Sequence, residues 1–288
     1  MFEGFEKRRV ATSETEIALR VGGAGPPLLL LHGYPQTHVL WHRIAPALAE
    51  RFTVVCADLR GYGDSGKPES GPDHAAYSKR VMARDQVEAM AALGFGRFRL
   101  CGHDRGARVA HRLALDHPDR VERIAVLDIA PTLRMYADTD KAFATAYYHW
   151  FFLIQPAPLP ERMIGADPAS WLRSCLGKWG DAEGAFAPEA LAEYERCFAD
   201  PAAIHATCED YRAAAGIDLE HDRADLDRRL PMPLLVLWGE KGLVGRTWDV
   251  PAVWRERAAV VEGAALPCGH FLPEEAPAET LRALQSFF

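Results

Sequence analysis

The chain has 288 residues, 49% of them hydrophobic and 25% charged, and a formal net charge of −7. That composition fits a globular protein large enough for one α/β core with an inserted lid, or for two ordinary domains. The acidic balance excludes a broad basic face for nucleic acid or anionic lipid, so an anionic ligand must be recognised locally. The six cysteines, Cys56, Cys101, Cys175, Cys197, Cys208 and Cys268, form no CxxC pair and no Cys/His spacing of the zinc-site kind. They predict a reduced, cytoplasmic setting. MFEGFEKRRV lacks the apolar stretch of a signal peptide, and the run near Leu28 to Leu31 is far too short to span a bilayer.

Over the first 130 residues short apolar runs alternate with helical stretches, the signature of βαβ units and a parallel sheet. Buried strands are predicted at 26–31 (PPLLLL), 52–57 (FTVVCA), 98–102 (FRLCG) and 124–128 (IAVLD). Ligands of open parallel sheets bind beyond the carboxyl ends of the strands, so His32, Asp58, Asp104 and Asp128 are expected at one edge. From about Thr132 to Arg229 the strand pattern stops. Alanines, aromatics and Pro-rich breaks at 155–160 and Asp167-Pro168 predict a helical insertion over that edge. The sheet resumes at 234–238 (LLVLW), after Pro231-Met-Pro233, and a helix over about 276–288 closes the domain. The expected organisation is a core over 1–131 and 231–288, with a helical cap over 132–230.

Cys101 to Arg108, CGHDRGAR, has the Gly-x-nucleophile-x-Gly form of a nucleophile elbow, the strand-to-helix turn that lifts a catalytic side chain out of an α/β-hydrolase sheet. Aspartate takes the nucleophile's place at 104. A serine there would attack a carbonyl, whereas a carboxylate attacks saturated carbon and leaves an alkyl ester on the protein. The plainer reading of Asp104 is an N-cap for the following helix. Arg105 and Arg108 fall on that helix's first turn and predict a clamp for a substrate carboxylate; their plainer use would be to balance Asp104 or pair with other acids.

Hydrolase elbows are followed in chain order by an acid and then a histidine. His270, in Pro-Cys-Gly-His-Phe, is the expected base that activates water against the ester. The acid's usual seat, three residues past Gly239, is occupied by Gly242. Asp128, ending the neighbouring strand, can reach the same histidine; Glu240 and Asp249 are its rivals. Backbone N–H groups of Tyr34 and Arg105 are the expected oxyanion hole. His103 and His111 read as structural, and the loop Asp58 to Gly66 (DLRGYGDSG) supports the fold only.

Taken jointly, HGYP (32–35), GHDRGAR (102–108), His149-Trp150 and CEDYR (208–212) resemble the fluoroacetate (haloacetate) dehalogenases of the α/β-hydrolase superfamily. The likeness runs from the N-terminal strands through Cys-Gly-His270-Phe-Leu-Pro-Glu-Glu. It implies an α/β-hydrolase fold, conversion of a haloacetate to glycolate and halide, Asp128 as the acid, and a homodimer. No metal or organic cofactor is expected. It also implies a halide pocket of His149, Trp150 and Tyr211, a set that helical spacing alone would assign to packing. Haloalkane dehalogenases and epoxide hydrolases with an aspartate elbow typically carry Trp where this chain has Arg105, which moves the expected substrate to a small 2-haloacid anion. An epoxide hydrolase, a dehalogenase of longer 2-haloacids, and a hydrolase-fold binding protein that has stopped turning over remain the alternatives. Intact Asp104, Asp128 and His270 argue against the last.

Overall fold

A computed structural model describes residues 1–180 and 184–288. Its strands are β1 (Glu6–Ala11), β2 (Glu16–Gly22), β3 (Pro27–Leu31), β4 (Thr53–Ala57), β5 (Phe98–His103), β6 (Val121–Leu127), β7 (Leu234–Gly239) and β8 (Val261–Leu266). They form one sheet in the order β1-β2-β4-β3-β5-β6-β7-β8, antiparallel between β1, β2 and β4 and parallel from β4 to β8. The continuous apolar runs occupy its middle, where Leu28 to Leu31 and Val54 to Ala57 are buried. Such strands need helices on both faces.

The strands absent from the sequence reading are β1, its neighbour β2, and β8, so two of the three lie at the sheet's edges. β1 is almost wholly exposed and carries Glu6, Lys7, Arg8 and Arg9. β8 is exposed from Glu262 to Ala265. Charged or weakly apolar edge strands discourage pairing with other chains and leave little periodic signal.

Helix Arg105–Asp116 leaves β5 directly, and every residue from Arg105 to Leu115 is buried. Between β6 and β7 the chain is helical, with no strand among the described residues. Helices Pro168–Trp179, Pro188–Phe198 and Pro201–Ala215 of this insertion each begin on proline, whose missing N–H costs nothing at a first helical position. Asp167 and Asp200 cap two of them. The last helix, Pro277–Phe287, packs Leu284 and Phe287 inward. Among the described residues no helix is long and apolar enough to cross a membrane.

Candidate active site

Asp104 stands in the turn between β5 and the helix Arg105–Asp116, at φ 47° and ψ −116°. A non-glycine residue there carries about 1–3 kcal/mol of strain, which the tight turn around it must hold. A Cβ at Gly102 would lie 2.4 Å from the Gly106 carbonyl, and one at Gly106 would lie 2.3 Å from the His32 carbonyl. Only glycine lets strand and helix approach so closely. The Asp104 side chain makes no capping bond, so the plainer reading fails. Instead its Oδ1 accepts the backbone N–H of Tyr34 at 2.9 Å. Arg105, the first helical residue, has a backbone N–H that no carbonyl within its helix can satisfy.

Burial drives the Asp104 pKa up, but the charges of His270, Arg108, His103 and Arg105 outweigh it and hold the carboxyl below its ordinary range. The group is ionised at neutral pH.

His270 lies beyond β8, with Nε2 4.0 Å from Asp104 Oδ2 and Nδ1 2.5 Å from Asp128 Oδ2. A carboxylate only accepts, so Nδ1 carries the proton and Nε2 is left free as a base. Burial lowers the imidazole pKa, yet the bond and charge of Asp128, with Asp104 behind them, raise it overall. Asp128 is fixed in turn, its Oδ1 accepting the Gly239 N–H at 3.0 Å and its own N–H donating to the Leu237 carbonyl at 2.8 Å. The rivals are elsewhere: Glu240 is exposed, and Asp249 is exposed and caps the helix Val250–Arg255.

Two residues brace the His270 loop. His103 Nε2 bonds the His270 carbonyl at 2.7 Å, and His270 N–H donates to the Trp179 carbonyl at 3.0 Å. Trp179 was not singled out from sequence, where a lone Trp closing an amphipathic helix reads as packing. Its ring stands 4.2 Å from that of His149. A cavity of about 190 Å³ opens beside His270, lined among others by Tyr147, Lys178, Trp179, Gly242 and Arg246. A larger cleft of about 330 Å³ lies over β1 and β2, and none of Asp104, Asp128 or His270 lines it. Of these three residues only His270 lines the smaller cavity, and the candidate site is located by the approach of His270 to Asp104 and Asp128.

Both expected clamp residues are buried beside Asp104. Arg105 spends Nε and Nη2 on Asp210, at 2.9 and 2.7 Å, while its Nη1 is buried with no partner. Arg108 donates Nη1 to Thr132 Oγ1 at 2.9 Å and to the Ala130 carbonyl at 3.2 Å, and its Nε is buried with no partner. Pairing with another acid therefore does occur for Arg105, but it leaves one donor over. The guanidinium carbon of Arg105 lies 4.1 Å from the centre of the Tyr211 ring, and that of Arg108 lies 4.7 Å from Trp150. Desolvated cation–π contacts of this kind are worth about 2 kcal/mol and fix both rings in place.

His149, Trp150 and Tyr211 come together from two helices of the insertion, His149 and Trp150 each within about 6 Å of Tyr211 by ring centres (5.8 and 6.3 Å). Burial holds the His149 pKa well below its usual value, so the ring is neutral, and its Nδ1 is buried without a partner. Burial likewise keeps the Tyr211 hydroxyl protonated. Among the described residues no group of three or more His, Cys, Asp or Glu could hold a metal ion. His111 packs edge-on against Trp254. Asp58 is held by His38 and by the Asp64 N–H.

An elbow bearing a buried carboxylate, a histidine–aspartate pair at neighbouring strand ends and helices inserted into a mostly parallel sheet define an α/β hydrolase. The family model described as alpha/beta hydrolase fold matches residues 26–277. A fluoroacetate dehalogenase from Burkholderia sp is 54% identical over 289 residues, covering 100% of this chain and 95% of the relative. A soluble epoxide hydrolase from Corynebacterium sp. (strain C12) is 37% identical over 270 residues, covering 92% and 91%. A solved structure from Nostoc sp PCC 7120, described as an alpha/beta hydrolase, superposes with a TM-score of 0.99 at 66% identity, covering 100% of this chain and 99% of that one. The chain belongs to the fluoroacetate dehalogenase family of α/β hydrolases.

Proposed function

We propose that the protein hydrolyses haloacetates, fluoroacetate among them, to glycolate and halide. The observation that carries this reading is the pair of buried guanidinium donors, Arg105 Nη1 and Arg108 Nε, that lack a protein partner beside the Asp104 carboxylate. An unpaired buried donor costs about 1–3 kcal/mol. A substrate carboxylate accepting from both relieves that cost and turns the α-carbon toward Asp104.

Asp104 Oδ2 attacks that carbon as the carbon–halogen bond breaks and the halide leaves with the bonding pair. His149, Trp150 and Tyr211 donate to it, as a strongly hydrated fluoride requires. The resulting ester joins Asp104 to the substrate methylene. His270 Nε2 takes a proton from water while its oxygen adds to the Asp104 Cγ, and the N–H groups of Tyr34 and Arg105 meet the charge that develops on Oδ1. Asp128 holds the tautomer and stabilises the imidazolium. Collapse expels glycolate and restores the carboxylate, so haloacetate and water become glycolate, halide and one proton.

In the same reading residues 132–230 act as the cap, and the enzyme is a cytoplasmic homodimer; that all six cysteines are free agrees with a reduced setting. The Corynebacterium likeness favours a second reading, epoxide hydrolysis. A neutral epoxide would leave both arginine donors unpaired, which weighs against it.

The test is halide release from fluoroacetate and chloroacetate, alongside a simple epoxide. Asp104→Asn should abolish release, and His270→Ala should hold the ester on Asp104, visible in the intact mass. No halide from either acid would sink the assignment.

A further inference from the structure

The segment Cys208 to Arg212 contains a residue with no part in the chemistry above. Asp210, fully buried, sits on the inserted helix Pro201–Ala215. Its Oδ1 accepts from Arg105 Nη2 at 2.7 Å and from Lys79 Nζ; its Oδ2 accepts from Arg105 Nε at 2.9 Å and from the Tyr62 hydroxyl at 2.6 Å. The Asp210 carbonyl takes a further bond from Arg105 Nη2 at 2.9 Å. One inserted side chain thus gathers donors from the nucleophile elbow, from helix Lys79–Ala92 and from the loop after β4. Tyr211, the next residue, covers the face of the same guanidinium.

We propose that Asp210 is the positioning residue of the anion site: by occupying Arg105 Nε and Nη2 it reserves Nη1 for the substrate carboxylate and keeps the guanidinium off Asp104. This rests on the assignment of Arg105 and Arg108 to that carboxylate. A guanidinium fork next to a carboxylate forms a bidentate pair unless something else holds it. Freed from Asp210, Arg105 could turn to Asp104, whose carboxyl its charge already stabilises, and pairing there would mask the nucleophile and consume the clamp together. Asp210 also supplies the negative charge that lets two guanidiniums stand side by side before substrate arrives. Lys79, which faces Asp218 Oδ2 at 3.5 Å as well, draws off part of that charge. Arg105 therefore stays cationic enough to attract an anion.

The experiment compares Asp210→Asn with the parent enzyme, using fluoroacetate as substrate and acetate as an unreactive competitor. KM for fluoroacetate and the inhibition constant for acetate should rise together by at least tenfold. At saturation the substrate draws Arg105 back, so kcat should fall less than threefold. A purely structural role would lower the active fraction and kcat while leaving both constants alone, and that result overturns the proposal. Should Asp210→Asn fail to fold, Tyr62→Phe decides: loosening Oδ2 should raise both constants two- to fivefold at unchanged kcat, and no shift overturns it. A parent enzyme that releases no halide refutes the proposed reaction instead, whereas an active parent with unmoved constants in the variant refutes only the role of Asp210.

Discussion

Asp128 reaches from the end of β6 to accept the Nδ1 proton of His270 at 2.5 Å, and its carboxylate lies in contact distance of where a side chain on Gly242 would begin. A Cβ at Gly242 would stand 3.4 and 3.5 Å from the two Asp128 oxygens. Two strand ends thus offer seats for an acid beside His270, and in this chain only the earlier one carries a carboxylate. Asp128→Asn should lower kcat by about 10²- to 10⁴-fold through loss of the productive tautomer. Adding Gly242→Asp, whose backbone at φ −72° suits any residue, should restore at least tenfold. Steady-state halide release on the single and double variants checks this; no recovery would mean that the second seat cannot serve the histidine.

The proposed clamp predicts discrimination by charge. Arg108→Met removes a charged hydrogen bond worth about 1.5–3 kcal/mol, so KM for chloroacetate should rise about 10- to 100-fold. Chloroacetamide, neutral and of similar shape, should be little affected. Parallel kinetics on the two compounds would show the preference for the acid shrinking; an equal loss on both would count against carboxylate recognition.

The Tyr211 hydroxyl should matter most where the leaving group is worst. Tyr211→Phe is expected to slow fluoride release about tenfold or more relative to chloride release, because fluoride depends more on donated hydrogen bonds. Single-turnover rates with fluoroacetate and chloroacetate give the ratio directly.

Protonation separates the two half-reactions. His270, its pKa raised, must be neutral to accept a proton from water, so ester hydrolysis should slow as pH falls through that raised value. Asp104, its pKa lowered, stays ionised, so in the proposed chemistry it should continue to be alkylated. In mildly acidic buffer a rapid burst of halide should therefore precede slow turnover, with ester accumulating on the protein. Rapid-quench mass measurement across pH 5 to 8 would reveal a pH-independent burst; a burst that disappears with acid would place the titration on the nucleophile.

Glu274 offers a separate test of stability. It accepts from the Tyr194 hydroxyl of the insertion, its Oε2 is buried without a partner, and burial pushes its pKa up to about 7. The folded state therefore prefers the protonated form. Its contribution to stability is intact below the ordinary value of 4.5 and is lost as pH rises through about 7. The full penalty is of the order of 3 kcal/mol. Glu274→Gln should melt several degrees above the parent at pH 8 and within a degree or two of it at pH 4.5. Calorimetry at the two pH values gives the comparison.

Much of this site was legible because its residues sit where strands end. The strand ending at Leu127 put Asp128 beside the His270 loop, and the elbow glycines announced Asp104 without reference to any partner. The sheet's edges were harder: β1 reads Glu-Lys-Arg-Arg-Val-Ala and buries almost nothing, so no alternation betrays it. Asp210 was hidden for the opposite reason. An acid in the middle of an alanine-rich helix looks like a solvated face, and only the fold brings Arg105, Lys79 and Tyr62 around it. Trp179 is legible only once its carbonyl is seen to hold the His270 N–H.

The bond from the Tyr34 N–H to Oδ1 makes the two oxygens of Asp104 unequal. In the proposed chemistry the oxygen facing His270 leaves inside glycolate and an oxygen from water replaces it, while the tethered one remains. In isotopically heavy water the first glycolate should be unlabelled and every later one labelled, provided the carboxylate does not turn over between cycles. Each product molecule would then carry away an atom that belonged to the protein one cycle earlier, and the catalyst would be rebuilt from solvent, one oxygen at a time.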